Sequence, residues 1–461
     1  MERQVKKALK AILGKDGFSE HPSDTEAMSY DASGPGFRPE VVLWPKRTDQ
    51  VAGIIELANR HCFPVIPRGA GSGLTGGSLV LAGGAVLAFN RMNRILEIDP
   101  GDMVARVEPG VVTAELQAAV EEQNLFYPPD PASRAFSTLG GNLAECAGGV
   151  RAVKYGVTRD YVLGLTAVLG SGQVVSTGTR TIKGVVGYDL TRLLVGSEGT
   201  LGLITEATLK LLPLPPAKTN LVGLFSDLEQ AARAVGGVFK AGLLPVALEF
   251  MDHIVLKLVA DELPFSLKAK ERALILVEVD GSPQAVKAEA RAVAKVFREF
   301  DGRVIEARDE AEAEAIWAAR RALAATVAKI KPGKLGEDVA VPLSKLPALV
   351  RGLDRIRQER DLTITAFGHA GDGNVHVDVL FEGQEEGARA KKAVADIFRL
   401  TLDLGGTLSG EHGIGTTKAR FLNWELSPLE IEFMLRLKAL FDPKGILNPG
   451  KIFPQAGAGE Q

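Results

Sequence analysis

Apolar and polar positions alternate along this chain with two periods, and the period switches repeatedly. Between Met1 and Gly14 the apolar residues Val5, Ala8, Leu9 and Ile12 recur at helical spacing, so the chain opens on an amphipathic helix. Short apolar runs at Pro39 to Trp44 and at Val65-Ile66 flank a helical pattern from Asp49 to His61, which predicts a βαβ start. Strands are expected at Val86 to Phe89, Ile95 to Ile98 and Ala105 to Val107, then a helix from Thr113 to Glu122 with Thr113 as its cap. Tyr161 to Leu169 and Val174 to Ser176 read as a hairpin about Gly170-Ser171-Gly172, followed by a strand from Ile204 to Leu212. Together these segments predict two α/β lobes.

The prolines of Pro213-Leu214-Pro215-Pro216 stiffen the connection there and mark a domain boundary. Beyond it, strands at Leu221 to Phe225, Val246 to Phe250, Leu274 to Val279, Gly302 to Glu306 and Val339 to Val341 alternate with helices. Those helices are expected at Asp227 to Ala241, Pro283 to Glu299, Glu310 to Lys329 and Lys345 to Glu359. Such a run predicts an α+β sheet covered by helices. Two more strands, Thr363 to Phe367 and Val375 to Val379, are joined by Gly368-His369-Ala370-Gly371-Asp372-Gly373-Asn374, and a helix from Ala388 to Leu404 follows. The glycines and asparagine exclude a continuous helix, so His369 and His376 face each other across a tight hairpin. No tandem repeat is present, and low complexity is confined to the last few residues.

A chain of 461 residues, 46% hydrophobic, has core enough for two or three domains. Its net charge of −3, carried in mixed-sign runs, argues against nucleic acid and for small-molecule partners. Cys62 and Cys146 are the only cysteines and read as small core residues. They exclude an iron–sulfur cluster held by four thiolates of this chain, so electrons that enter must leave through another molecule. No apolar run approaches the roughly 18 residues of a spanning helix, and no secretory core is seen near Met1. The expected compartment is the cytoplasm. Arg3, Lys6, Lys7 and Lys10 leave open a peripheral place at the inner face of a membrane, although a docked helix with a solvated face is the plainer reading.

Chemistry concentrates in loops. Pro67 to Ser78 holds five glycines in twelve residues, with Arg68, Ser72, Thr75 and Ser78, between two apolar runs. Such a backbone takes positive φ repeatedly and aims N–H groups at an anion, so it reads as a phosphate cradle. It is no P-loop, since no Gly-Lys-Ser/Thr closes it. Nor is it a dinucleotide fingerprint, since Leu79 to Gly84 is too glycine-rich for the helix required. Ser137 to Asn142 with Ala147-Gly148-Gly149, and Gly196 to Gly202, are further glycine loops, and three of them suggest one large ligand. Three of the six histidines fall between His369 and His412, and Glu411 stands beside the last. His369, His376 and Glu411 could form a two-histidine, one-carboxylate site for zinc, manganese or iron with positions open to substrate. The bland alternative is imidazoles bonded to loop carbonyls. His61 reads as structural.

Pro67 to Ser78, Ser137 to Asn142, Tyr155-Gly156-Val157, Glu198 to Gly202, Gly368 to His376, Ser409 to Gly415 and Leu447 to Lys451 together resemble the FAD-linked oxidases of the vanillyl-alcohol oxidase type. Within them the resemblance is to the D-2-hydroxyacid dehydrogenase branch, covering about Pro39 to Phe453. It implies an FAD domain of two lobes at 1–214, an α+β cap with an antiparallel sheet at 215–410, and a segment 411–461 returning to the flavin. Arg68, Gly69, Ala70, Gly71, Ser72, Gly73, Leu74, Thr75, Gly76, Gly77 and Ser78 would cradle the pyrophosphate. Asp130, Ser137, Thr138, Gly140, Gly141, Asn142, Gly148, Gly149, Glu198, Gly202 and Ile204 would line the cofactor in the second lobe, with Asn448 close by.

Some relatives attach flavin through a histidine in the first loop; none lies between Arg68 and Ser78, so non-covalent FAD is expected. By position His369, His376 and Glu411 match the metal ligands, zinc or manganese being the expected ion. His412 matches the catalytic base, and Arg320 the arginine that grips the substrate carboxylate. Where the hydroxyglutarate branch has an asparagine, this chain has Asp378, and the matching lysine near Lys331 to Gly336 cannot be placed. The implied reaction is oxidation of a D-2-hydroxy acid, D-lactate or glycolate before hydroxyglutarate. A quinone, cytochrome or electron-transfer flavoprotein would accept the electrons. A homodimer or a subunit role in a larger complex stays open. Competing readings are an ether-lipid synthase or sugar-nucleotide reductase on the same lobes, a non-catalytic flavin subunit, and a metallohydrolase.

Overall fold

The computed structural model describes residues Met1–Pro454; the low-complexity reading of the last few residues falls outside them. Two compact units make up the chain. One comprises residues 1–147, 157–214 and 411 onward; the other comprises 148–156 and 215–410.

In the first unit, strands Val41–Leu43, Ala85–Ala88 and Val65–Arg68 run parallel, and Phe18–Ser19 adds an antiparallel edge. Helix Arg3–Leu13 puts Val5 and Leu9 into the core beneath that sheet, where Ile54 and Ile55 of helix Thr48–His61 meet Val65 and Leu87. The glycine loop after Arg68 therefore leaves the carboxyl end of a buried parallel strand, where open α/β sheets bind their ligands. The second sheet, ordered Val174–Gly178, Val162–Val168, Leu203–Lys210, Val104–Val107, Ile95–Asp99, is antiparallel throughout. Thr113 does not cap its helix. Val112 holds that position without a side-chain bond, and Thr113 spends its hydroxyl on Ser137. The glycine-rich stretch after Ser137 winds into a short helix, Leu139–Glu145, capped by the Thr138 hydroxyl.

Cys62 is exposed rather than a core residue: it ends a helix in the left-handed conformation, φ 52°, where its side chain meets solvent. Cys146, half-buried, ends helix Leu139–Glu145 in the same way. Helix Pro428–Phe441, opened by a Ser427–Glu430 capping box, buries none of its residues. The chain after it returns to the first sheet. Leu447 bridges Val65, and the Asn448 amide donates to the Val65 carbonyl at 2.9 Å.

The second unit is built on seven antiparallel strands, ordered Arg303–Glu306, Ala217–Phe225, Ala273–Gly281, Ala247–Met251, Thr363–His369, Asn374–Phe381, Gly333–Ala340. Alternate residues such as Val222, Leu224, Leu274 and Leu276 face helices Glu310–Val327 and His253–Leu258. Helix Pro283–Glu299 covers the other face, pressing Phe297 against Gly223. The segment 148–156 is pinned here by Lys154 and Tyr155, which both bond the Asp280 carboxylate. Among the described residues no helix is long and apolar enough to cross a membrane.

Candidate active site

A cleft open to solvent runs along the first unit. The first loop lines it with Arg68 to Leu74, Gly77 and Ser78. Thr138, Gly140, Gly141, Asn142, Glu198, Gly202, Ile204 and Asn448 join them, as do Glu411 and His412. Thr75 and Gly76 stand behind the lining. Thr75 donates its hydroxyl to the His412 carbonyl at 3.0 Å and its own carbonyl accepts from Thr416, so the first loop carries the histidine segment. Ser137 is committed to Thr113, and Asp130 pairs with Arg134 at 3.2 Å; neither lines the cleft. Gly148 and Gly149 belong to the second unit and line none of it.

Arg68 is buried, and its Nη1 has no hydrogen-bond partner. Burial pushes its pKa down, with Asp31 opposing. Buried polar groups are almost always partnered, so an unpartnered guanidinium nitrogen on a cleft wall fits an anionic ligand. Gly71, at φ 72°, lets the loop fold over that side chain: a Cβ there would stand 2.3 Å from Arg68 Nη2. Glu198 adopts φ 51° and is buried, with its carboxylate accepting from the Ile414 and Gly415 amides at 2.8 Å each. Burial raises its pKa, while those amides, Lys451 and Lys418 pull the other way. Asn448 donates to the carbonyls of Gly77 (2.8 Å) and Glu198 (2.7 Å), leaving Oδ1 buried without a partner.

Glu145, at the end of helix Leu139–Glu145, also lines the cleft, and its Oε2 has no partner. Burial pushes its carboxyl well above the ordinary range, and Glu198 and Asp31 push the same way. Sequence reading passes over this residue. The available signal is the one charged residue in the stretch Ser137 to Glu145.

In the second unit, antiparallel register sets His376 opposite Phe367 and His369 opposite Asn374. The two imidazoles meet with Nε2 to Nε2 at 3.4 Å. His369 Nδ1 lies 2.6 Å from Glu249 Oε1, while Glu249 Oε2 takes Arg320 Nε at 2.8 Å and Nη2 at 2.6 Å. Arg320 also stacks over Phe367, 5.1 Å from the ring centre. Burial drives the Glu249 pKa upward, but His369 and Arg320 outweigh it and hold the carboxyl below its usual value. An ionised Glu249 accepts a hydrogen bond from the His369 Nδ1–H, which in the neutral imidazole leaves a lone pair on Nε2. Glu249 is the residue that sequence reasoning misses here: it lies in an apolar strand 120 residues from His369.

Asp338 accepts from Asn374 Nδ2 at 2.6 Å and from the Gly410 amide at 2.9 Å, and stands 3.7 Å from His376 Nδ1. Glu411 follows Gly410 directly in the chain. Lys334 pairs with Asp378 at 3.1 Å, and Lys331 with Glu386 at 2.8 Å.

Residues 39–178 match the family described as FAD binding domain, and residues 214–452 that described as FAD linked oxidases, C-terminal domain. Over 456 residues the chain is 41% identical to a glycolate oxidase subunit, GlcD, of Bacillus subtilis strain 168, across 98% of this chain and 97% of that one. A D-lactate dehydrogenase of Anaerostipes hadrus is 37% identical over 458 residues, 96% of this chain and 95% of the other. A solved structure of p-cresol methylhydroxylase with substrate bound superposes with a TM-score of 0.81 at 18% identity, covering 98% of this chain and 96% of that one.

Proposed function

The chain belongs to the FAD-linked oxidases, with the FAD-binding fold of the vanillyl-alcohol oxidase type; from that premise we propose that it oxidises a D-2-hydroxy acid, D-lactate or glycolate, to the 2-oxo acid. The observation that carries this reading is the convergence of His369 and His376 at 3.4 Å, with His369 oriented by Glu249. A lone FAD site does not require a pair of imidazoles with one tautomer fixed. The similarity to a glycolate oxidase subunit and a D-lactate dehydrogenase supports it.

Non-covalent FAD fits the cleft of the first unit. Arg68, buried with Nη1 unpartnered, supplies the charge for its phosphates, and the surrounding amides supply N–H donors. His369, His376 and Glu411 would hold a divalent cation, zinc or manganese, since two imidazoles and a carboxylate suit either and leave positions for substrate. Bound in these places, FAD would accept the hydride and the cation would ease ionisation of the substrate hydroxyl.

The oxidation removes a proton from oxygen and a hydride from Cα as the C–O bond becomes a carbonyl. His412, on the cleft wall beside Glu411, takes the proton, imidazole being the side chain that changes charge near neutral pH. Arg320 keeps Nη1 beyond the two nitrogens it gives Glu249 and binds the substrate carboxylate with it, so that one Cα hydrogen is presented. Lys334 is already neutralised by Asp378, which gives a second substrate carboxylate little to bind and disfavours hydroxyglutarate. Electrons pass to an external quinone, cytochrome or electron-transfer flavoprotein.

The test is anaerobic reduction of the bound flavin by D- and L-lactate, glycolate, D-2-hydroxyglutarate and longer 2-hydroxy acids. Bleaching by D-lactate or glycolate at the lowest concentrations is expected. A flavin that none of these acids reduces would sink the reading.

A further inference from the structure

We infer that Glu145 is a positioning residue for the cofactor, hydrogen-bonding the isoalloxazine ring through Oε2 and thereby setting the flavin's reduction potential. This rests on the reading that the cleft of the first unit holds FAD. Three observations carry it. Glu145 Oε2 is buried on the cleft wall with no partner, a condition proteins seldom keep unless a ligand supplies the missing bond.

Its place in the cleft is the second. A Cβ added to Gly77 would stand 2.7 Å from Glu145 Oε1, and one added to Gly413 only 2.3 Å from Oε2. Gly413, at φ 79°, follows His412, so the carboxyl reaches the end of the cleft where the proton acceptor stands. The flavin ring, rather than the adenine, must lie at that end if His412 is to serve the reacting carbon.

The third is the chemical form of the group. Glu198, the neighbouring acid, is bonded to the Ile414 and Gly415 amides, whereas Glu145 is pushed up by burial first and by the carboxylates Glu198 and Asp31 after it. These influences favour the neutral form of Glu145, which has an O–H to donate. The reduced flavin ring carries more negative charge than the oxidised ring, so a donor at this place favours the reduced form.

The experiment compares flavin-loaded wild type with Glu145→Gln and Glu145→Leu, using redox-dye equilibration for the midpoint potential. Glu145→Leu should favour the oxidised form about tenfold, roughly 30 mV lower for a two-electron couple, while Glu145→Gln, which keeps a donor, should stay close to wild type. A Glu145→Leu protein that holds FAD at the wild-type potential would overturn the proposal. Should Glu145→Leu fail to fold, redox-difference infrared spectra of wild type and Glu145→Gln decide it. A protonated-carboxyl C=O band that shifts on dithionite reduction and vanishes in Glu145→Gln is expected, and absence of any such band overturns the assignment. None of these measurements uses a 2-hydroxy acid, so a flavin inert to such acids would fail the substrate reading alone.

Discussion

His369 directs Nδ1 onto Glu249 at 2.6 Å and so directs Nε2 toward His376. One buried carboxylate thus sets both the tautomer and the aim of an imidazole, and it is itself held by Arg320. Partners of this kind raise the basicity of a ligating histidine, and losing one costs about 10–100-fold in metal affinity. Glu249→Gln should weaken zinc or manganese binding by that factor while leaving FAD content unchanged, as read by chelator competition and flavin absorbance. Unaltered metal affinity would remove Glu249 from the site.

His412→Ala should keep its FAD and lose on the order of 10²-fold or more in the rate of flavin reduction by the best substrate, the range for general acid–base work. Stopped-flow absorbance measures it. Reduction at wild-type speed would mean that another group takes the proton.

Arg68→Met keeps much of the stem and removes the charge. A hydrogen bond to a charged group contributes roughly 1.5–3 kcal/mol, so FAD should dissociate about 10–100-fold more readily, measured by the fluorescence of released flavin. Acid precipitation of wild type should free all of its flavin into the supernatant. Yellow colour retained in the pellet would exclude non-covalent attachment.

The raised pKa of Glu145 fixes the sign of a pH effect. Above the ordinary carboxylate value, near 4.3, the unfolded chain releases this proton while the folded protein keeps it, so stability falls as pH climbs toward the folded pKa. Glu145→Gln escapes that loss. Its melting temperature relative to wild type should rise between pH 5 and pH 8, by at most about 1.4 kcal/mol per pH unit in free energy. A constant difference across that range would show the carboxyl ionised in the fold.

Asp378→Asn would release Lys334 from its ion pair. The ratio of kcat/KM for D-2-hydroxyglutarate to that for D-lactate should rise by up to about fivefold, the most expected when a partly exposed charge pair is opened. Steady-state kinetics on the two acids measures it, and an unchanged ratio would place the second carboxylate elsewhere.

Local chemistry was legible and distant partnership was not. The glycines of 67–78, the hairpin that brings His369 to His376, and the proline boundary at 213–216 announce themselves because each is a property of consecutive residues. Glu249 and Glu145 do not, since what distinguishes each is a neighbour supplied by another part of the chain. Thr113 looks like a cap by residue type, yet Ser137 claims its hydroxyl. Helix Pro428–Phe441 leaves Leu429, Phe433, Leu435 and Leu440 exposed, and without a polar face its pattern lacks the contrast that reveals amphipathic helices. Cys62 is small and apolar enough for a core, but the turn that ends its helix decides its exposure.

Asn448 joins the first glycine loop to the third by bonding the carbonyls of Gly77 and Glu198, and it is made long after either. A ribosome that has completed both loops still lacks the amide that ties them together. A chain cut before Asn448 keeps every residue of both loops yet loses the side chain that bonds them to each other.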